Sequence, residues 1–296
     1  MKKPIIVIAG PTASGKTTLA INLAQKFKGE IVNADSRSVY REMDIATSKP
    51  SALERQQIRH HLIDVVNPDE PFSLSDYKAL ANEAIADIHN RDKIPFLVGG
   101  TGLYLDAIIY DYGLIEVKPN PTLRSRLEKL STPELAKLLK SLDPMVSEKI
   151  DQKNSRRLIR AIEIATQIDK PLSGETKKEK PTTVLYLAIK VPRDQLYERI
   201  NERVDQWEDQ GLVSETKELT KNYSIDLPSL SAIGYQEISN YLDDKISLCE
   251  ALEIMKKRTR HYAKRQITWF KRNNDLVYIE NEDEATAAIE AFLKLT

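Results

Sequence analysis

The 296-residue chain has one cysteine and no net charge, because 44 Lys and Arg residues balance 44 Asp and Glu residues. The single Cys249 excludes an internal disulfide framework and is typical of a reducing compartment, so we expect a cytoplasmic protein. The charge balance excludes a polycation, so any nucleic-acid surface must come from local clusters of basic residues. No apolar run approaches the roughly eighteen residues of a membrane span, so we expect no membrane partner.

Hydrophobic residues make up 41% of the chain, enough to bury a sizeable core. Short apolar runs alternate with segments of helical periodicity in the first part of the chain. The predicted strands are 5–9, 30–34 and 94–98, and the predicted helices are 15–27, 51–63 and 71–93, the last capped by Ser73 or Ser75. This alternation predicts βαβ units, and the fold class is an α/β, P-loop NTPase-like core with a parallel sheet.

A long segment from 114 to 181 has no strand signal and is punctuated by prolines. We predict that it is an all-helical insertion domain, which divides the core into a first part, 1–113, and a second part, 182–296. We predict that the second part begins with a core strand at 182–191 and a long helix at 192–221. Further helical sequence to 272, a short strand "DLVYI" and a final helix follow. Residues 173–181 are the best candidate for a mobile loop.

The sequence "AGPTASGKTTLA", residues 9–20, follows the first predicted strand and matches the pattern G-x-x-x-x-G-K-[ST]. Glycines in such a loop let several backbone N–H groups point at one anion, while the lysine and the next helix N-terminus add positive charge. The threonine hydroxyl can hold Mg²⁺, so Thr17 is the candidate metal ligand. A glycine turn that binds nothing is the alternative. The candidate diphosphate-binding residues are Gly10, Pro11, Thr12, Ala13, Ser14, Gly15, Lys16 and Thr17.

The other predicted strand ends lack the aspartate with which a nucleotide hydrolase holds Mg²⁺ through water. Strand 94–98 is followed by a Gly-Gly-Thr sequence, and Asp64 follows two adjacent histidines that make a poor buried strand. The loop is therefore predicted to bind a pyrophosphate or a triphosphate without the usual ATPase partner. Asp35 and Ser36 follow the second strand, so with Thr101 they should face the glycine loop. On spacing alone, Asp35 is a metal ligand, a proton acceptor or a turn cap.

Basic residues cluster at two places. Residues 256–272 hold eight Lys or Arg residues and no acid, interleaved with Tyr262, Trp269 and Phe270. A second cluster, in the predicted insertion, consists of Lys153, Arg156, Arg157 and Arg160. A solvated amphipathic helix is the alternative, but two basic clusters beside a phosphate site indicate an enzyme that acts on a nucleic acid. Adjacent histidines, His60 and His61, face different directions and do not predict a zinc site.

Four stretches carry a resemblance to a known family: "GPTASGKT", "NADSRSVY", "VGGTGLY" and "TRHYAKRQITWFKR". They closely resemble the tRNA dimethylallyltransferase family of bacterial type, also called tRNA isopentenyltransferases. The stretches "HHLIDV", "PFSLSDY", "RRLIRAIE" and "SAIGYQE" are similar to that family too, so the resemblance spans nearly the whole chain.

The resemblance implies transfer of a dimethylallyl group from dimethylallyl diphosphate to N6 of adenosine 37, next to the anticodon of a tRNA. It implies that the glycine loop holds the donor's diphosphate with Mg²⁺, that Asp35 is the base, and that Arg203 stabilises the leaving group, with Arg199 as runner-up. Thr101 would hydrogen-bond the target nucleotide, and the helical insertion would clamp the anticodon stem-loop of a tRNA bound to a monomer. The implied catalytic residues are Asp35, Thr101, Lys16 and Arg203, and the implied tRNA-binding residues are Asp35, Ser36, Arg37, Ser38, Thr101, Arg124, Arg156, Arg157, Arg160, Gly234, Tyr235, Lys264, Arg265 and Gln266.

Two positions depart from the family pattern, because Ser38 and Arg156 stand where glutamine is common. Ser38 would drop an RNA contact or make it through water, while Arg156 would shift a contact from a base toward a phosphate.

Three other interpretations of the function stay open: a P-loop kinase, an isopentenyltransferase of free adenine nucleotides, and a non-catalytic RNA-binding module. The kinase would not need two basic clusters, the nucleotide enzyme would not need the insertion, and the binding module would leave Asp35, Thr101 and Thr17 unexplained.

Overall fold

The computed structural model describes residues 3–111, 117, 120–167 and 183–295. The chain divides into two compact units, one made of Met1–Tyr110 with Lys180–Thr296 and the other of Asp111–Glu179. The sequence-predicted domain boundaries and the predicted mobile loop 173–181 lie outside the described residues.

The first unit is built on one parallel sheet. In the described residues its six strands are β1 (Ile5–Ala9), β2 (Gly29–Asn33), β3 (His60–His61), β4 (Ile94–Gly99), β5 (Val184–Ile189) and β6 (Val277–Ile279). Their order across the sheet is β3-β2-β4-β1-β5-β6, and every pair of described strands is parallel. Parallel neighbours need crossover connections, which helices supply, so the predicted α/β, P-loop NTPase-like fold class is confirmed.

Helices connect the strands and also make up the second unit. In chain order the described α-helices are α1 (Lys16–Lys26), α2 (Ala52–Gln57), α3 (Leu74–Asn90), α4 (Gly102–Ile109), α5 (Pro121–Leu127), α6 (Thr132–Leu142), α7 (Pro144–Lys149), α8 (Ser155–Ala165), α9 (Arg193–Asp209), α10 (Leu212–Asn222), α11 (Tyr235–Leu242), α12 (Leu248–Phe270) and α13 (Glu282–Leu293). Helices α5 to α8 belong to the second unit, whose apolar core includes Leu135, Leu139 and Leu158. None of the described helices combines the length and the apolar character needed to cross a membrane.

The helix ends follow from local side-chain chemistry. Ser73 caps α3, because its hydroxyl accepts from the Asp76 N–H while the Asp76 carboxylate accepts from the Ser73 N–H. Gly211 has a φ of 95°, a left-handed conformation that ends α9 and separates it from α10. The single helix predicted over 192–221 is therefore two helices.

The helix predicted over 51–63 is wrong in its second half. Helix α2 ends early, and His60 and His61 form the edge strand β3 beside β2. The histidines fit this edge because each is half-buried and places one ring nitrogen on a partner. His60 Nδ1 lies 2.9 Å from the carbonyl oxygen of Ile58, and His61 Nε2 lies 2.8 Å from Glu30 Oε2.

The carboxyl ends of β2 and β4 approach each other closely, which brings the predicted site loops together. A Cβ added at Gly99 would lie 2.1 Å from the carbonyl oxygen of Ala34, so only glycine fits there. The N–H of Thr101 donates to the same carbonyl at 3.2 Å. The chain that follows β2 is therefore fixed against the chain that follows β4.

Near the amino end of β2, Glu30 is a buried carboxylate surrounded by basic groups. Its Oε1 accepts from Lys93 Nζ at 2.8 Å, and its Oε2 accepts from Arg91 Nη2 at 2.8 Å and lies beside His61. Burial by itself would raise the pKa of Glu30, but hydrogen bonds from Arg91, Lys93 and His61 outweigh burial and hold the pKa far below its usual range. The cluster ties β2 to β3 and to the turn that precedes β4.

We expect Glu30→Gln to lower the free energy of unfolding by about 1–3 kcal/mol at neutral pH, because charge-assisted donors lose their ionised acceptor. Since the folded-state pKa is depressed, the stabilisation by Glu30 is complete above the unfolded pKa of about 4.3 and is lost as pH falls below it. Urea unfolding at neutral pH and in acid should show a difference between the two proteins that shrinks in acid. Glu280→Gln, which removes the exposed partner of Lys190, is the control and should resemble wild type. Equal effects of the two substitutions would contradict a special role for the buried carboxylate.

Candidate active site

A cavity of about 400 Å³ opens in the first unit at the carboxyl ends of the strands. The glycine loop and the start of α1 contribute Thr12, Lys16 and Thr17, and the chain after β2 contributes residues 35–38. Further lining residues are Arg203 and Trp207 of α9, residues 231–233, and Arg258, Thr259, His261, Tyr262, Arg265 and Gln266 of α12. A concave site at this edge of an α/β sheet is where such folds bind ligands.

The glycine loop between β1 and α1 has the backbone geometry of an anion site. Gly15 has a φ of 85° and Ala13 a φ of 62°, both left-handed. Helix α1 begins directly after Gly15 with no side-chain cap and no acidic residue in its first turn. The first N–H groups of the helix are therefore left to a ligand, and the helix dipole favours an anionic one.

Gln266 of α12 fastens the glycine loop to the end of β4. Its Oε1 accepts from the N–H of Thr12 at 2.9 Å, and its Nε2 donates to the carbonyl oxygen of Gly100 at 3.0 Å. The side chain is only 5% exposed, and both ends of its amide are engaged. The structure places Gln266 as a support of the loop, whereas the sequence predicted a tRNA contact.

Two positive side chains share the cavity with the carboxylate of Asp35. Neither Lys16 nor Arg203 forms an ion pair with a described residue, and the Lys16 ammonium donates to the Pro11 carbonyl at 3.4 Å. Burial lowers the pKa of Lys16 to about 8, with the charge of Asp35 acting against that shift and the charge of Arg203 adding to it. Burial also lowers the pKa of Arg203. Partly buried cations are costly without a partner, so this part of the cavity fits an anionic ligand.

Asp35 follows β2 and has two roles in the structure. Its Oδ1 accepts from the N–H of Arg37 at 2.8 Å, which caps the turn, while the side chain also lines the cavity.

Thr101 does not line the cavity itself but lies behind residues that do. Its Oγ1 accepts from the N–H of Ser36 at 3.1 Å and lies beside the hydroxyl of Tyr262. Thr101 thus lies behind two lining residues, whereas the sequence predicted a direct contact with the nucleotide.

Known proteins share this sequence and architecture. A sequence model described as IPP transferase matches residues 38–273, and one described as Isopentenyl transferase matches residues 3–69. The chain is 42% identical to the tRNA dimethylallyltransferase of Anoxybacillus flavithermus over 96% of this chain and 92% of that protein. The crystal structure of the full-length tRNA isopentenylpyrophosphate transferase of Bacillus halodurans matches with a TM-score of 0.73 and 37% identity over 99% of both chains. The crystal structure of a eukaryotic dimethylallyltransferase acting on tRNA matches with a TM-score of 0.84 and 31% identity, covering 94% of this chain and 74% of that one.

The chain belongs to the IPP transferase family. The matched region includes α9, α12 and the whole second unit, and the glycine loop falls within the Isopentenyl transferase match. The family resemblance carried by the sequence motifs is therefore confirmed.

The chain after β2 of this IPP transferase is held rigidly. All four predicted tRNA contacts from Asp35 to Ser38 line the cavity. The Arg37 guanidinium donates to the carbonyls of Pro228 and Ser229, at 2.6 and 3.0 Å, and to the Ser231 hydroxyl at 3.1 Å. Ser38 is only 4% exposed. The guanidinium of Arg37 is therefore committed to the fold, and the side chains of Asp35 and Ser36 are the more accessible part of the loop.

Gly234 and Tyr235, two further predicted tRNA contacts, lie in the core. Gly234 is buried with a φ of 119°, where a residue with a side chain would be strained. Tyr235 is fully buried, and its hydroxyl donates to Glu215 at 2.7 Å. The Tyr235 side chain therefore stabilises packing and offers no surface to an RNA.

The predicted basic contacts divide into exposed and paired residues. Lys264 and Arg265 on α12 are exposed, as are Arg156 and Arg157 at the start of α8. These four keep the accessibility that a phosphate contact requires.

Arg124 and Arg160 instead bind a buried acid inside the second unit. Glu163 Oε2 accepts from Arg124 at 2.7 Å and from Arg160 at 2.6 Å. Burial alone would raise the pKa of Glu163, but hydrogen bonds from Arg124, the backbone N–H of Asn120 and Arg160 hold it at about 2. The carboxylate offsets one of the two positive charges and holds both guanidinium groups, so the pair contributes less to an RNA surface than the sequence predicted.

The aromatic residues among the bases of α12 have different roles. Phe270 is buried, and the ring N–H of Trp269 donates to Asp106 Oδ2 of α4 at 3.0 Å. Both residues therefore anchor α12 to the fold. Tyr262 is the one of the three that lines the cavity.

The residues beside the glycine loop fit Mg²⁺ as the partner of a bound diphosphate. In the part of the chain that the structure describes, no group of three or more His, Cys, Asp or Glu side chains is placed to hold a metal ion. The Thr17 hydroxyl and the Asp35 carboxylate both line the cavity. Mg²⁺ commonly takes one or two protein ligands and completes its shell with water and phosphate oxygens, so this sparse donor set suits the ion.

The sequence analysis missed lining residues on α12. Arg258 lines the cavity and is hydrogen-bonded to the buried Glu237 of α11, and His261 lies one turn further along α12. Residues 258, 262 and 265 are spaced three or four apart, which puts them on one helix face. That spacing was the available signal, but it does not say which face meets the site.

We expect Gln266→Ala to weaken pyrophosphate binding by about 10-fold, because the N–H of the half-buried Thr12 loses its acceptor and the loop loses its bond to the end of β4. Calorimetric titration with pyrophosphate measures the change, and thermal unfolding verifies that the variant is folded. Lys264→Ala, on an exposed face of the same helix, is the control and should bind pyrophosphate as wild type does. Wild-type affinity in the Gln266 variant would mean that the loop keeps its shape without the amide.

Proposed function

We propose that this IPP transferase transfers the dimethylallyl group of dimethylallyl diphosphate to N6 of adenosine 37 in tRNA, next to the anticodon. The observation that carries the proposal is one cavity in which the unpaired cations Lys16 and Arg203 stand with the carboxylate of Asp35. A diphosphate leaving group needs the cations, and an amine nucleophile needs the carboxylate. The names of the family relatives support a tRNA acceptor.

Departure of the diphosphate is the step that the glycine loop assists. The bond between C1 of the dimethylallyl group and the diphosphate oxygen breaks, and its electron pair leaves with the oxygen. The N–H groups at the start of α1, the Lys16 ammonium and the Arg203 guanidinium stabilise the charge that develops there. Mg²⁺ held at Thr17 would supply further positive charge to the phosphate oxygens.

Asp35 acts on the nucleophile. The exocyclic amine of adenine is a weak nucleophile, because its lone pair is delocalised into the ring. As the bond between N6 and C1 forms, the nitrogen must lose a proton, and the Asp35 carboxylate accepts it. One of its oxygens accepts from the Arg37 N–H, which orients the carboxylate and leaves the other oxygen for the proton. The adenine must leave the stack of its RNA loop to reach this position.

A polynucleotide acceptor is supported by the basic residues that stay exposed. Arg265 lines the cavity and Lys264 adjoins it on α12, while Arg156 and Arg157 are exposed in the second unit. Contacts of this kind to phosphates orient an RNA without reading its sequence. We propose that the second unit contacts the anticodon stem-loop, and that the enzyme acts as a monomer in the cytoplasm.

The acceptor is identified by incubating the protein with labelled dimethylallyl diphosphate and, in separate reactions, tRNA, AMP or ATP. We expect label in tRNA at the adenosine next to the anticodon, with one pyrophosphate released for each group transferred. Label in AMP or ATP would instead identify an enzyme of free nucleotides. Inorganic phosphate released from ATP without transfer would identify a kinase or an ATPase.

Asp35→Asn keeps the shape of the side chain but removes the proton acceptor, so turnover should fall by about 10²-fold or more while the Kd for tRNA changes little. Single-turnover transfer and a stem-loop binding titration measure the two quantities. Asp64→Asn is the matched control, because this carboxylate also follows a strand but is bound to Lys49 and Arg55 outside the cavity lining. The folded control should keep its turnover. Near-normal turnover of the Asp35 variant would restrict that carboxylate to capping its turn.

A further inference from the structure

An adenine that leaves its stack loses both neighbours, and enzymes that extrude a base commonly hold it against a flat side chain. Among the described residues, the cavity lining has four side chains with flat rings: His60, Trp207, His261 and Tyr262. Trp207 is 5% exposed and donates its ring N–H to Ser48 at 3.3 Å, so it belongs to the wall. His60 lies on the edge strand β3, and His261 is exposed. Tyr262 is the remaining ring.

Tyr262 adjoins the groups that would handle the reacting amine. Its hydroxyl lies beside Thr101, whose Oγ1 accepts from the N–H of Ser36 in the loop that carries Asp35. Burial raises the pKa of Tyr262 well above its usual value, and the charge of Asp35 raises it further. The phenol therefore stays neutral beside the proposed base.

The ring of Tyr262 is held in place before any ligand arrives. Its hydroxyl end lies beside Thr101, and the guanidinium of Arg265, one helical turn along, lies 5.5 Å from the ring centre. Helix α12 is itself fixed next to this ring by the two hydrogen bonds of Gln266. A ring that is already ordered loses little conformational entropy when a base stacks on it.

We propose that Tyr262 is a substrate-positioning residue whose ring is the surface against which the target adenine stacks, so that N6 is presented to Asp35. This inference rests on the proposed function, since it requires an extruded adenine in this cavity. Stacking on an aromatic ring tolerates any base, so Tyr262 would supply orientation and affinity, while selectivity for adenine comes from contacts to the edge of the base.

The test compares single-turnover transfer to an anticodon stem-loop by three variants. Tyr262→Phe keeps the ring and loses only the hydroxyl, so its rate should stay within about 3-fold of wild type. Tyr262→Leu and Tyr262→Met keep apolar bulk but lose the flat face, so each should be slower by about 10-fold or more. Pyrophosphate binding should be unchanged in all three. Tyr197→Leu is the matched control, because Tyr197 carries a similar arginine, Arg193 at 5.1 Å, outside the cavity lining, and it should transfer at the wild-type rate.

A stem-loop with 2-aminopurine at the target position gives a readout without chemistry, because this base has no amine at position 6. Stacking on tyrosine should quench its fluorescence in the wild-type complex, and the saturated complexes of the Leu and Met variants should be brighter. Wild-type rate and fluorescence in a folded Leu or Met variant would overturn the inference. A Phe variant as slow as the Leu variant would also overturn it, by assigning the effect to the hydroxyl. A wild-type protein that labels no tRNA would overturn the proposed function instead.

Discussion

The two hydrogen bonds of Gln266 keep the parts of the site at fixed positions relative to one another. Its partners, Thr12 and Gly100, follow β1 and β4, and Thr12 is 254 residues away along the chain. One amide therefore sets the spacing between the glycine loop, the strand end that carries Thr101 and the helix that carries Tyr262. Both partners are backbone groups, and a buried backbone group left without a partner costs more than an average hydrogen bond contributes. The anion site and the proposed base site depend on this one contact.

The whole chain has no net charge, and the distribution of its charges depends on which basic side chains pair with acids. Several basic side chains neutralise acids at fixed places in the fold, as Lys93 and Arg91 do for Glu30 and as Arg124 does for Glu163. The cations that such pairing leaves without a partner include Lys16 and Arg203 in the cavity. A neutral chain can in this way present a positive field where a polyanion or a diphosphate binds.

Features that contiguous residues encode could be predicted from the sequence. The glycine loop with its flanking strand and helix is one, and the start of α3 at Ser73 is another, because every partner lies within a few residues. Features that depend on partners far away along the chain could not be predicted from the sequence. His61 becomes a strand residue through Glu30, and Tyr235 is a core residue through Glu215 and the packing around it.

The same limit applies to the candidate site. Its glycine loop and the loop that carries Asp35 follow from motifs at predicted strand ends. Which face of α12 meets the site does not follow from the sequence, because basic and aromatic residues lie on several sides of the helix. Gln266, predicted as a tRNA contact, and Trp269 are each fixed by a partner at least 160 residues away along the chain. For the same reason, the role of Tyr262 emerges only from its contacts with Thr101 and Arg265.

The packing around β4 also supports the proposed diphosphate donor over ATP hydrolysis. P-loop hydrolases carry, at the end of a neighbouring strand, an aspartate that holds Mg²⁺. Here a Cβ added at Gly100 would lie 2.2 Å from Gln266 Nε2, and one added at Gly99 would lie 2.1 Å from the Ala34 carbonyl oxygen. Gly99 does not admit a carboxylate, and one at Gly100 would have to displace the Gln266 amide. Among the described lining residues the carboxylate is Asp35, after β2. In the proposed reaction Asp35 takes a proton from the nucleophile, while the amide of Gln266 occupies the strand end at which a hydrolase places its aspartate.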